Sequence, residues 1–247
     1  GIVASDQLFF STLAGYLILL MVWAIRRYAD WGRPLWVLLF PASVVAGLLV
    51  FRPLLSAILY VFREILPGGE VPTNASFFRQ FGSHFFGAGL AEELIKAVPA
   101  LVGFFLALRP IQNSIADRLR LRGPLDGVVY GVVAGAVFTF IETALIYVPK
   151  YGLELLFPRV FIVPAGHIAY AGIFGYFIGL ALARPTYRWP LLVGGWFLAA
   201  SAHALWNASG LTFIGLAGAA FTYVLFLACL LKARQLAGQQ SHMAARG

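Results

Sequence analysis

Apolar runs about as long as a bilayer is thick recur along the whole 247-residue chain and constrain its fold more than any other feature. A helix needs about 20 apolar residues to cross a ~30 Å hydrocarbon core, where every backbone polar group must be satisfied within the spanning structure. Runs of that length predict an all-α, polytopic membrane bundle and argue against a barrel. Composition agrees, since 61% of the residues are hydrophobic and 11% charged, against about a quarter charged in soluble domains.

The expected spans are residues 8–25, 35–51, 82–108, 124–148, 158–183, 190–209 and 211–231, which makes about seven transmembrane helices. The short apolar stretch 53–66, set between Arg52-Pro53 and Pro67-Gly68-Gly69, reads as an interfacial helix or as the continuation of a kinked second span, an eighth helix in either case. The +8 formal charge then signals topology and not nucleic-acid binding. With seven crossings, eleven basic residues from the loops Arg26–Arg33, Arg109–Arg122 and Arg184–Arg188 and from Lys232 and Arg234 share one side. The other side holds five: Arg52, Arg63, Arg79, Lys150 and Arg159. The positive-inside bias puts the N-terminus outside and the C-terminus in the cytoplasm. The lone Cys229 excludes an intrachain disulfide and a cysteine metal site.

The run 8–25 lacks a basic leader and a small-residue cleavage site, so it is expected to be retained as a span. Residues 1–235 are read as one polytopic membrane domain, and the polar stretch 236–247 resembles an expression-vector remnant outside the fold. Gly127, Gly131 and Gly135 stand four apart and predict a close helix–helix interface; Gly175 and Gly179 repeat the interval.

Within the third run, Glu92, Glu93 and Lys96 interrupt an otherwise lipid-soluble stretch from Phe81 to Leu108. Each charge at mid-bilayer costs at least ~2.5–3.5 kcal/mol, so the three need partners or a wet cavity. The other polar groups in the spans are Glu142, His167, His203 and Asn207. At 1.5 Å per residue, Glu92, Glu142, His167 and His203 lie ~15, ~9, ~14 and ~9 Å below one surface, a shared layer that favours one site. Lys96 can pair with either glutamate, and His203 and Asn207 share a helix face. A carboxylate with two imidazoles is a workable ligand set for a divalent metal, and a further carboxylate can take a proton from water; without metal, the same groups could hold and deprotonate water directly. The plainer readings are an ion pair that sets helix register for Glu93 and Lys96, an interfacial acid for Glu142, an interhelical hydrogen bond for His167 and an interfacial position for His84.

Taken in order, Glu92-Glu93-x-x-Lys96, Phe138-x-x-x-Glu142, His167 ahead of a Gly-rich span, and His203-x-x-x-Asn207 resemble the PrsW family of intramembrane proteases, related to the CAAX prenyl endopeptidases and to bacteriocin-processing proteins. The similarity covers roughly Phe81 to Asn207, so the expected catalytic core is residues 81–209. It implies a membrane endopeptidase of the bacterial cytoplasmic membrane that cleaves single-span, membrane-anchored regulators such as anti-sigma factors. Carried over, Glu92 is the general base that activates water, and Glu93 is a second acid held by Lys96. Glu142, which stands where the prenyl endopeptidases have histidine, positions the water or binds metal together with His167 and His203. Asn207 stabilises the oxyanion. The implied cofactor is Zn2+; with glutamate at 142, a metal-free mechanism stands beside it. The competing class is an ion- or proton-coupled transporter, which would continue polar residues to both faces; the cytoplasmic halves of the spans are almost wholly apolar. A non-catalytic scaffold is the third reading.

Overall fold

The computed structural model describes residues 2–110, 114–155 and 163–244; Arg159, the start of the expected 158–183 span and the last three residues of the tail lie outside the described residues. The described residues form an all-α bundle, with helices α1 (Ile2–Ala29), α2 (Leu39–Val50), α3 (Arg52–Tyr60), α4 (Phe77–His84), α5 (Ala91–Ala107), α6 (Ser114–Leu119), α7 (Pro124–Glu142), α8 (Val148–Tyr151), α9 (Val163–Ala183), α10 (Arg188–Ser209) and α11 (Phe213–Ala244).

The expectation of seven or eight transmembrane helices is corrected. Among the described residues, three helices are long and apolar enough to cross a bilayer: Pro124–Tyr151, Ala165–Ala183 and Phe213–Gln239. Leu35–Val50 and Arg52–Ile65 make a fourth if they form one broken span, since they meet at 78°. An apolar run in sequence is not yet a long uninterrupted apolar helix. The run 82–108 carries three charges, α10 opens on Arg188-Trp189-Pro190 and carries His203 and Asn207, and Pro53 in the first turn of α3 starts a new helix after a break at Phe51. The orientation inferred from charge counting assumed seven crossings and loses that support.

The centre of the bundle is the pair α7 and α9, and glycine is what lets them meet. A Cβ at Gly127, Gly131 or Gly135 would run into the backbone carbonyl of Gly175, Ala171 or His167 respectively, while Gly175 and Gly179 face Gly127 and Gly123 in return. The triple and the pair are therefore the two sides of one backbone-to-backbone seam. The seam has a functional consequence, because Gly135 seats against the backbone of His167. Helices α5 and α10 pack on α9, and α2 packs on α7. By contrast α11 is peripheral, with Phe213, Phe221, Val224 and Leu231 facing outward.

A polar knot closes the bundle at the far end of α7 from Glu142, about 24 Å away along the helix axis. Asp126 accepts hydrogen bonds from Trp31 Nε1 at 2.7 Å, Arg33 Nη1 at 2.7 Å and the Arg122 backbone N–H at 2.9 Å. Arg33 also donates to the carbonyls of Arg118 and Arg120, and Tyr130 donates to Leu119 O. Arg33 counted as a loop charge in the sequence; here it is a buried ion-pair partner.

Three π-helical turns, Val61–Ile65, Phe85–Leu90 and Thr143–Tyr147, interrupt the winding. Side chains from elsewhere cap carbonyls in two of them: Arg63 Nε donates to Gly87 O at 3.1 Å, Trp196 Nε1 to Leu90 O at 3.0 Å and Gln7 Nε2 to Ala144 O at 3.3 Å. The loop 66–76 is clamped down on the second turn by the Gly68–Gly87 backbone contact and by Ser83 Oγ donating to Gly69 O. Such turns often mark functional sites.

Candidate active site

The first turn of α5 carries Glu92 and Glu93, and Lys96 follows one turn on; Glu93 and Lys96 are completely buried. Lys96 Nζ lies 2.5 Å from Glu93 Oε1 and 2.9 Å from His167 Nδ1 on α9, and His203 Nδ1 on α10 lies 2.8 Å from the same Glu93 oxygen. One carboxylate oxygen thus ties α5 to α10, and Lys96 extends the network to α9. Breaking such a pair strands a buried charge at a cost of about 3–5 kcal/mol. Lys96 Nζ also stands 4.9 Å from the centre of the Phe138 ring, a cation–π contact.

The hydrogen bonds fix how one of the two imidazoles presents itself. His203 donates its Nδ1–H to Glu93, which leaves a lone pair on Nε2, 3.8 Å from Glu92 Oε2. A carboxylate behind an imidazole is the arrangement that orients histidine ligands in metal sites. His167 differs. With Lys96 as ammonium, His167 accepts at Nδ1 and presents Nε2–H; it becomes an Nε2 ligand when Nδ1 carries the proton and the amine accepts it. The rings are further held by packing. Tyr170 stacks on His203 at 5.1 Å and 13°, Phe138 stacks on His167 at 5.5 Å, and the two imidazoles meet edge to face at 4.9 Å.

Glu92, His167 and His203 each offer a ligand atom, and the three atoms lie within 4.8 Å of one another. Glu92 Oε2 is shielded from solvent and makes no hydrogen bond among the described residues. The 3.8 Å between it and His203 Nε2 is too long for a hydrogen bond and spans two metal bonds of about 2.0–2.2 Å. An orphaned carboxylate oxygen beside two oriented imidazoles fits a divalent metal of the zinc type.

These groups open on a chamber of about 540 Å³. Of the residues singled out in sequence, Glu92, Glu142, His167, His203 and Asn207 line it, whereas Glu93 and Lys96 lie behind the wall. Glu142 stands outside the converging group of three, close enough for its charge to act on Glu92. Most of the other lining residues were not foreseen as part of the site, among them His84 and Tyr170, which stacks on His203. His84, read as interfacial, is half-buried in the chamber wall. Tyr170 went unnoticed, although it stands three residues after His167 and therefore on the same helix face.

The family model for PrsW family intramembrane metalloproteases matches residues 33–233. The chain belongs to the PrsW family. No curated protein and no solved structure matches it. Membership in the PrsW family and the buried Glu/His cluster make the protein an intramembrane protease, with a catalytic site assisted by glutamate or metal.

Proposed function

We propose that this PrsW-family chain hydrolyses a peptide bond of a membrane-anchored protein, an anti-sigma factor being the substrate class, in a bacterial cytoplasmic membrane. Residues 1–235 form its single membrane domain and residues 81–209 its catalytic core. The observation that carries this reading is the convergence of Glu92, His167 and His203 within 4.8 Å on the wall of one chamber inside a membrane bundle. Hydrolysis within lipid needs a polar compartment that admits water, and this one is lined by acids, imidazoles and an amide.

The reading assigns Glu92, His167 and His203 to hold Zn2+, with Glu142 in the chamber wall as the general base that takes a proton from the attacking water. Zn2+ held there supplies Lewis-acid polarisation of water and of the scissile carbonyl. Glu93 fixes the His203 ring through its Nδ1–H. Lys96 bonds to Glu93 and meets His167 Nδ1, and His167 Nε2 is open to the metal in the state in which the Lys96 amine accepts the Nδ1–H. Asn207 offers amide donors to the carbonyl oxygen as it gains charge.

The test is cleavage of a co-reconstituted single-span substrate, with metal measured on the same preparations. Glu92→Gln is expected to lose both metal and cleavage, and Glu142→Gln to lose cleavage while keeping metal. His203→Ala should behave like Glu92→Gln. Wild-type rates in all three variants would reject the assignment. Loss of cleavage in Glu92→Gln from a protein that never held metal would instead make Glu92 the base of a metal-free site, a reading supported by its unpartnered Oε2.

A further inference from the structure

Addition of water to a peptide carbonyl moves the π electron pair onto oxygen, and a site that excludes bulk water must supply fixed donors for that charge. Several N–H groups near the cluster are already engaged. Lys96 is committed to Glu93 and His167, and the His203 Nδ1–H to Glu93. Asn207 is exposed, so little packing holds its amide.

Tyr170 is held differently. It is 3% exposed, lies flat on the His203 ring and edge-on to His167 at 6.2 Å, and lines the chamber. Its side chain runs back along α9 over Gly166, where a Cβ would stand 3.1 Å from the phenol oxygen. The hydroxyl hydrogen-bonds to no described residue, and it is not sealed off with the orphaned buried atoms. A donor with no hydrogen-bond partner among the described residues is therefore locked by its own ring beside two imidazoles of the converging group, its oxygen reaching the chamber.

We infer that Tyr170 is a catalytic residue, whose O–H donates a hydrogen bond to the scissile carbonyl oxygen as that oxygen becomes negatively charged, beside or ahead of Asn207. Tyr170 keeps its proton throughout. Water oxygen bonds to the carbonyl carbon, the C–N bond then breaks, and the proton taken from water goes to the departing amine nitrogen. Gly166 serves the same end by leaving the hydroxyl uncrowded.

This inference rests on the protease reading, and the experiment separates the two. Full-length wild type, Tyr170→Phe and Gly166→Ala are reconstituted in liposomes with an internally quenched single-span substrate and assayed with a peptidyl phosphinate analogue of the tetrahedral species. Tyr170→Phe keeps the ring and its stacking and removes one oxygen. It is expected to lower kcat by about 10²–10³-fold, to leave KM and bound metal unchanged, and to weaken the phosphinate by the same factor as kcat/KM. Gly166→Ala is expected to lower kcat in the wild-type background and to add nothing in the Tyr170→Phe background, which keeps the inference testable should either variant fold poorly. Unchanged kcat in Tyr170→Phe, or a loss carried by KM, thermal stability and metal content, would overturn it while leaving the protease reading intact. Absence of cleavage by the wild type would overturn that reading and this inference together.

Discussion

Glu93 receives the Nδ1–H of His203 across 2.8 Å, at a depth where the glutamate has no solvent exposure at all. The contact joins α5 to α10 and fixes which imidazole nitrogen faces the chamber. It also gives the adjacent glutamates different surroundings. Glu93 turns inward to Lys96 and His203 through Oε1, whereas Glu92 lines the cavity, and each keeps an Oε2 with no hydrogen bond among the described residues.

Replacing Glu93 by Gln keeps an acceptor for His203 but leaves Lys96 without its counter-charge. The variant is expected to lose about 3–5 kcal/mol of stability and about 10–100-fold in metal affinity, read from denaturation in detergent micelles and from metal titration. Adding Lys96→Met should recover much of the stability and little of the affinity. A Glu93→Gln protein as stable as wild type would mean that the pair carries no net electrostatic stabilisation.

Metal removal gives a second prediction. Chelation should stop cleavage, and Zn2+ should restore it. Because a ligand that binds only the folded state raises its stability, Zn2+ should also raise the Tm of the wild type and fail to do so in His203→Ala or His167→Ala. A thermal shift of equal size in both histidine variants would place the ion elsewhere.

The α7–α9 seam can be probed through Gly131, where a methyl group meets the Ala171 carbonyl. Gly131→Ala should cost about 1–3 kcal/mol or more, the range for overpacking a tight interior, and reduce activity by moving α9. Gly194 on α10 has nothing within 4 Å of its would-be Cβ, so Gly194→Ala should be neutral or stabilise by up to about 1 kcal/mol. Equal responses at the two positions, measured by unfolding in detergent, would contradict the seam.

The knot around Asp126 provides a control remote from the chemistry. Asp126→Asn leaves the buried Arg33 without a counter-charge and should destabilise the protein by an amount comparable to Glu93→Gln. Metal affinity and KM should stay at wild-type values, since the knot and the chamber sit at opposite ends of α7. Loss of metal in this variant would show that the two ends are coupled.

Much of the chamber was legible because polar groups in lipid are few and each needs a reason. Glu92, Glu142, His167 and His203 were placed in one layer by counting helix rise from the ends of the expected spans, and all four line the chamber although the seven-span topology behind that count is corrected. Helix rise gives depth and not azimuth, so which glutamate lined the chamber was not to be had from depth, all the more because a π-helical turn precedes Glu92 and another follows Glu142. Tyr170 escaped notice because an aromatic in an apolar span reads as core. The crossing number went wrong for a related reason: runs were measured by length, while Phe51 breaks one helix and Glu92, Glu93 and Lys96 load another with charge. Arg33 shows the limit of counting loop charges, since burial beside Asp126 removes it from the tally.

The Phe85–Leu90 turn makes this part of the protein more sensitive to chain length than to chemistry. An extra residue is accommodated in that wide coil, and removing one would rewind it and swing Glu92 by about 100° relative to everything before it. The carboxylate would then point away from both imidazoles while Arg63 and the 66–76 loop lost their footing on Gly87. Substitutions at outward-facing positions here should be absorbed, whereas a single-codon deletion should silence the enzyme.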